Sequence, residues 1–135
     1  FYLLGQSLDG MRVWDVRRAA QTLRSVEGFA DVPFWLQSER RMAGVTLYAS
    51  LFEPEVTRLD LHALPKSHRD GSYFLNVSRF LDLPQAVAMA AERSRVAIYS
   101  ENGAAWEYPK QVGKMLGWPA KQLQIRKPVA DVGNQ

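Results

Sequence analysis

Cysteine is missing from all 135 residues, which excludes a disulfide frame and a thiolate metal site and leaves the redox compartment open. No apolar run comes near the roughly 20 residues that a membrane-spanning helix needs, so no membrane partner is expected. Neither a Gly-x-Gly-x-x-Gly turn nor a lysine-bearing phosphate loop occurs, which argues against an independent nucleotide-binding module. No cofactor is expected. Histidine is scarce, with His62 and His68 alone and none later in the chain. Basic residues are not concentrated either. Lys and Arg total 17 against 14 Asp and Glu, for a net charge of +3 and a pI near 9.4. Arg40-Arg41 and Arg93-Ser94-Arg95 are short clusters, without the basic stripe and interleaved aromatics of a nucleic-acid surface. A solvated face accounts for them, and no nucleic-acid partner is expected. There is no internal repeat and no low-complexity segment.

What remains is a composition of 47% hydrophobic and 11% aromatic residues, which describes one globular domain with a real core. The domain is expected over residues 1–127, with a polar tail at 128–135. The chain opens on Phe1-Tyr2-Leu3-Leu4, already apolar, so a fragment or processed product of a longer protein is expected.

Periodicity gives the order helix, strand, helix, strand, excursion, helix, strand, helix, strand. Val13, Val16, Ala20 and Leu23 recur at steps of three and four, which predicts a helix from Leu8 to Arg24 with Ser7 as N-cap and Gly28 as a stop. Val32 to Gln37 is a short continuous apolar run, the pattern of a parallel strand buried on both faces. Met42 to Phe52 predicts a helix ended by Glu53-Pro54. Val56, Leu59 and Leu61 mark a strand, with Arg58, Asp60 and His62 on its other side. Pro65 to Ser72 is a loop, and Tyr73 to Leu83 has mixed periodicity that leaves its type open. Pro84 opens a helix over Gln85–Ala91, and Arg95 to Tyr99 is a buried strand. Ala104 or Ala105 to Leu116 predicts a helix stopped by Gly117, and Leu123 to Arg126 a last strand. Strands alternating with helices predict an α/β fold, a mostly parallel sheet flanked by helices in three layers.

The most informative stretch runs from Phe34 to Ser50: strand, very tight turn, and a helix opening on small residues. A nucleophile elbow is built this way and reads Gly-x-Ser-x-Gly, because its strained turn needs small neighbours. Here the five positions are Ser38, Glu39, Arg40, Arg41 and Met42. A guanidinium at Arg40 stays protonated and cannot act as the nucleophile. Ser38 falls at the strand end, short of the bend, and Met42 crowds a position where glycine is expected. Ala43 and Gly44 let the helix approach the sheet closely.

Other polar groups have plain readings. His62 and His68 flank Pro65-Lys66-Ser67, with Asp60 and Asp70 near, but their spacing suits no helical ligand pair. Surface polarity is the default and no metal site is expected. Ser67, His68 and Asp70 are too close in sequence to converge as a triad. Asp15 and Arg18 are spaced for a helix-surface ion pair. Trp106, Tyr108 and Trp118 are suited to stacking on sugar rings, although packing is the commoner use of aromatics around a helix.

Three segments carry a resemblance. Gly10-Met11-Arg12-Val13-Trp14-Asp15-Val16-Arg17-Arg18-Ala19 resembles the helix before the elbow in certain esterases, with its Trp-Asp…Arg-Ala pattern. The elbow region is the second. Phe80-Leu81-Asp82-Leu83-Pro84-Gln85-Ala86, followed by Ala90-Ala91-Glu92-Arg93-Ser94-Arg95-Val96, resembles the run leading to the strand that bears the catalytic acid. In this order, from Leu4 to about Ile125, the chain resembles the C-terminal half of an α/β-hydrolase of the acetyl-xylan-esterase and dienelactone-hydrolase-like branch. That resemblance implies an acid after Val96–Tyr99, where Glu101 is the candidate, and a histidine after Leu123–Ile125, where none exists. A serine triad needs all three members. A catalytically inactive, esterase-related domain follows as the first expectation, with a structural or ligand-binding role. Its implied partners are an upstream hydrolase domain of the same protein and an anionic or carbohydrate ligand at Arg40 and Arg41. The alternative is part of an active serine carboxylesterase or acetyl xylan esterase acting on acyl esters of carbohydrates. Secretion or a periplasmic location is implied by the same likeness.

Overall fold

The computed structural model describes residues 5–128; the apolar Phe1–Leu4 start and the expected tail from Val129 onward lie outside the described residues. Helix α1 (Leu8–Arg24) opens on Ser7, whose Oγ accepts from the Gly10 N–H at 3.1 Å, as its N-cap reading predicts. Gly28 takes up φ +85 in the turn that follows.

Strand β1 (Phe34–Glu39) departs from expectation. Its exposure alternates, with Trp35, Gln37 and Glu39 open and Phe34, Leu36 and Ser38 partly covered. Trp35 is 64% exposed, so this is not a strand buried on both faces. The physical reason is that the helices cover only one face of the sheet, with α2 lying on the inner side of β1. Helix α2 (Arg40–Phe52) begins at the residue after β1, and β2 (Val56–His62) buries Val56, Leu59 and Leu61 as its alternation predicts.

The undecided segment from Tyr73 to Leu83 is irregular except for a 3-10 turn at Val77–Arg79. Helix α3 (Leu83–Ala91) then opens with Pro84 in its first turn and a reciprocal capping box between Asp82 and Gln85. Strand β3 (Arg95–Tyr99) is followed by a 3-10 turn, Gly103–Trp106, that runs into α4 (Glu107–Met115), where one continuous helix is predicted. Strand β4 (Leu123–Arg126) completes the sheet.

The strands lie in the order β1-β2-β3-β4, all parallel and flanked by helices, which makes this an α/β fold, the class that the alternation of strands and helices predicts. Right-handed crossovers between successive neighbours place their helices on one face. In keeping with that rule α1 packs on α2, α2 on α3 and α3 on α4. Between this helical layer and the sheet sits the core, built from Leu47, Leu59, Leu61, Leu83, Ile98 and Trp106.

The other face of the sheet is polar and aromatic, and its side chains cover one another. Arg58 lies 4.8 Å over the Trp35 ring and pairs with Asp60 at 3.0 Å. His62 stacks on Tyr99 with ring centroids 4.2 Å apart. Among the described residues no helix is long and apolar enough to cross a membrane.

Candidate functional site at the strand-to-helix bend

Strand β1 ends in extended backbone at Glu39 (φ −132, ψ 157), and the next residue, Arg40, has φ +52. A side chain with a Cβ meets steric cost there, of order 1–2 kcal/mol. A single left-handed residue therefore turns the chain from strand into helix. Arg40 is exposed and has no hydrogen bond or ion pair among the described residues. Its guanidinium stands at the carboxyl edge of the sheet, where ligands collect in open α/β folds.

The neighbouring residues behave differently. Ser38 lies on the helix-facing side of β1, with its Oγ buried and lacking a hydrogen-bond partner among the described residues. It lies beneath the crest of the bend. Met42 is exposed. Arg41 is turned back onto the protein: its Nε and Nη2 meet Asp9 Oδ2 at 3.1 and 3.0 Å.

Asp9 is the polar anchor of this region, a residue that sequence reasoning missed. Its side chain is 2% exposed and also accepts from Arg12 Nη1 at 2.9 Å and from the Tyr73 N–H at 2.7 Å. Burial pushes the Asp9 carboxyl up, but the bonds from Tyr73, Arg12 and Arg41 outweigh it and hold the group below its ordinary 3.8. Ser7 Oγ adds a bond to the Tyr73 carbonyl at 2.7 Å. One carboxylate thus ties the start of α1, the first turn of α2 and the Tyr73 loop together. The one local signal was an acidic residue in the first turn of a capped helix, a position the helix dipole favours.

Beneath the bend lies a second buried polar cluster, which corrects the expectation for His68. Far from being surface polarity, His68 is buried, with Nδ1 2.9 Å from the Ser72 carbonyl and Nε2 2.9 Å from the Tyr48 hydroxyl. A carbonyl can only accept, so Nδ1 carries a proton, and in the neutral ring Nε2 accepts from the Tyr48 hydroxyl. Both ring nitrogens are occupied by structural bonds, leaving none to activate a nucleophile. The His68 N–H donates to Asp82 Oδ1 at 2.7 Å and Ser67 Oγ to Asp82 Oδ2 at 2.6 Å. Burial pushes the Asp82 carboxyl up, and these bonds together with the Leu83 N–H more than reverse it. Burial pushes the Tyr48 phenol up, and the charge of Asp82 adds to that.

The small residue at Gly44 answers to the same cluster rather than to the sheet. A Cβ there would lie 2.6 Å from Ser72 Oγ, whose own hydroxyl donates to the Arg41 carbonyl at 2.6 Å. Glycine lets the loop before α3 lie directly on α2.

The other predicted site residues are dispersed. Glu101 is exposed in the bend after β3. His62 ends β2 on the strand side its alternation predicts, and its Nε2 is 3.2 Å from Gln37 Nε2. No group of three or more His, Asp or Glu converges among the described residues. Asp15 makes no ion pair with Arg18; that guanidinium sits 4.2 Å over Trp14 and reaches Gln21 at 3.0 Å. Trp106 is buried in the core, Trp118 packs on Gly113, and Tyr108 is exposed, so the three do not share one platform. Comparison with protein-family models, curated proteins and solved structures gives no match to this chain.

Proposed function

We propose that this chain is a catalytically silent, esterase-related α/β domain whose elbow has been kept as a structural turn. The observation that carries the reading is Arg40 at φ +52, the one strained residue between β1 and α2. In a working elbow that position lifts a nucleophile, and an arginine offers only a permanent cation. The remaining hydroxyl, Ser38 Oγ, is buried below the bend, and the buried histidine is fully engaged by Ser72 and Tyr48. Arg40 is the ligand-facing group of this reading, whereas Arg41 serves as a tether to Asp9. Hydrolysis of p-nitrophenyl acetate tests it: the protein is expected to give no saturable rate above buffer. A saturable rate that disappears in Ser38→Ala would make this a working hydrolase and overturn the proposal.

A further inference from the structure

The polar face of the sheet holds a feature remote from the bend. Arg58 and Arg95 are register partners on adjacent strands β2 and β3, so two guanidinium side chains leave the same face about 5 Å apart at their backbones. Like charges placed directly opposite in this way destabilise a sheet. Arg58 is partly offset by Asp60 on its own strand, while Arg95 has no acidic partner among the described residues. Lys121, just before β4, has none either, and Arg126 meets only the neutral Tyr99 hydroxyl and Gln124 Oε1, which engage two of its five N–H groups.

These four cations surround a depression of about 170 Å³. Its floor is Ala97, 5% exposed, which stands between Asp60 and Gln124 in the register of the three strands. The small side chain opens the hollow, and with Gln124 Oε1 taken by Arg126, the Gln124 amide nitrogen remains as a further donor. Four cations against the single carboxylate of Asp60 leave an excess of three positive charges around a concave surface.

We propose that this hollow binds a small, multiply charged oxyanion of the phosphate class, held by Arg95, Lys121 and Arg126. Guanidinium groups match such oxygens in bidentate fashion, and lysine adds a point charge. The bound anion relieves the repulsion between Arg58 and Arg95, so binding and stability are linked.

Calorimetric titration with inorganic phosphate, at ionic strength held constant with chloride, is the test. Saturable binding is expected, weakened at least tenfold in Arg95→Gln/Lys121→Gln and unchanged in the charge-matched control Arg69→Gln/Arg79→Gln. Phosphate is also expected to raise the thermal midpoint of the unaltered protein and not that of Arg95→Gln/Lys121→Gln. That variant, freed of a like-charge pair, should melt no lower than the parent in chloride alone, which shows that it folds. Absence of saturable heat overturns the proposal. So do equal losses in the two double variants, a loss produced by Arg40→Gln instead, and binding of a single-stranded oligonucleotide without binding of phosphate.

Discussion

Leu59 and Asp60 are neighbours in β2, yet Leu59 is fully buried under the helices while Asp60 faces outward in an ion pair with Arg58. The same division runs across the whole sheet. On one side Leu61, Val96 and Ile98 are sealed by α2, α3 and α4. On the other, Trp35, Arg58, His62 and Tyr99 cover one another through stacking and hydrogen bonds. The sealed face draws its stability from apolar area removed from water. The open face relies on contacts that solvent weakens. Truncation should expose the difference. Leu59→Ala is expected to cost about 2–5 kcal/mol, since it removes buried methyl groups and leaves a cavity. Trp35→Ala, although a larger truncation, is expected to cost about 1 kcal/mol or less, mainly its cation–π contact with Arg58. Equilibrium unfolding in urea measures both. Equal losses would mean that the open face is sealed after all.

A sharper contrast sets Asp9 against Asp60, two arginine-bonded carboxylates in different surroundings. Asp9 is buried and accepts from two guanidinium groups and a backbone N–H, while Asp60 is paired on a partly exposed strand. Asp9→Asn is expected to cost about 2 kcal/mol, because buried partners lose a charge-assisted acceptor. Asp60→Asn should stay within about 1 kcal/mol. The pH dependence carries a definite sign. Folding depresses the Asp9 carboxyl below 3.8, so its contribution is fully present above that value and is lost as pH falls through the lower, folded one. Asp82 acts in the same direction. Denaturation followed from pH 6 downward should therefore show an acid limb that begins near about pH 4 and is shallower in Asp9→Asn.

The contrast also marks what could be read without coordinates. Period-two alternation in Val56–His62 already separates the sealed side chains from the open ones, and Ser7, Pro84 and Gly117 announce helix ends by local chemistry. Those signals lie within a few residues of what they specify. The run Val32–Gln37 misleads because hydrophobicity alone does not show that helices will cover only one face of the sheet. The polar anchors were hidden for a related reason. Asp9 meets Arg41 and Tyr73 across separations of 32 and 64 residues, and His68 meets Tyr48 across 20. No pattern along the chain announces contacts of that range. The bend itself was legible as strand, turn and helix, but its left-handed residue was not, since an arginine carries no propensity for φ > 0.

Arg40 belongs to neither face of the sheet, and it tests whether the bend is held by its side chain or only endured by its backbone. The guanidinium has no partner among the described residues, so Arg40→Ala should leave stability within about 0.5 kcal/mol: the Cβ and its steric conflict remain. Arg40→Gly removes the Cβ. Relief of the left-handed conformation stabilises the folded chain, while the added freedom of glycine stabilises the unfolded one, and the two effects partly offset each other. The expected net gain is up to about 1 kcal/mol, read as a higher urea midpoint with an unchanged slope. A loss in Arg40→Gly together with a loss in Arg40→Ala would show that the arginine side chain itself holds the turn. The bend would then be an interaction site with its own energy, rather than a strained stretch of backbone that the side chain does nothing to hold.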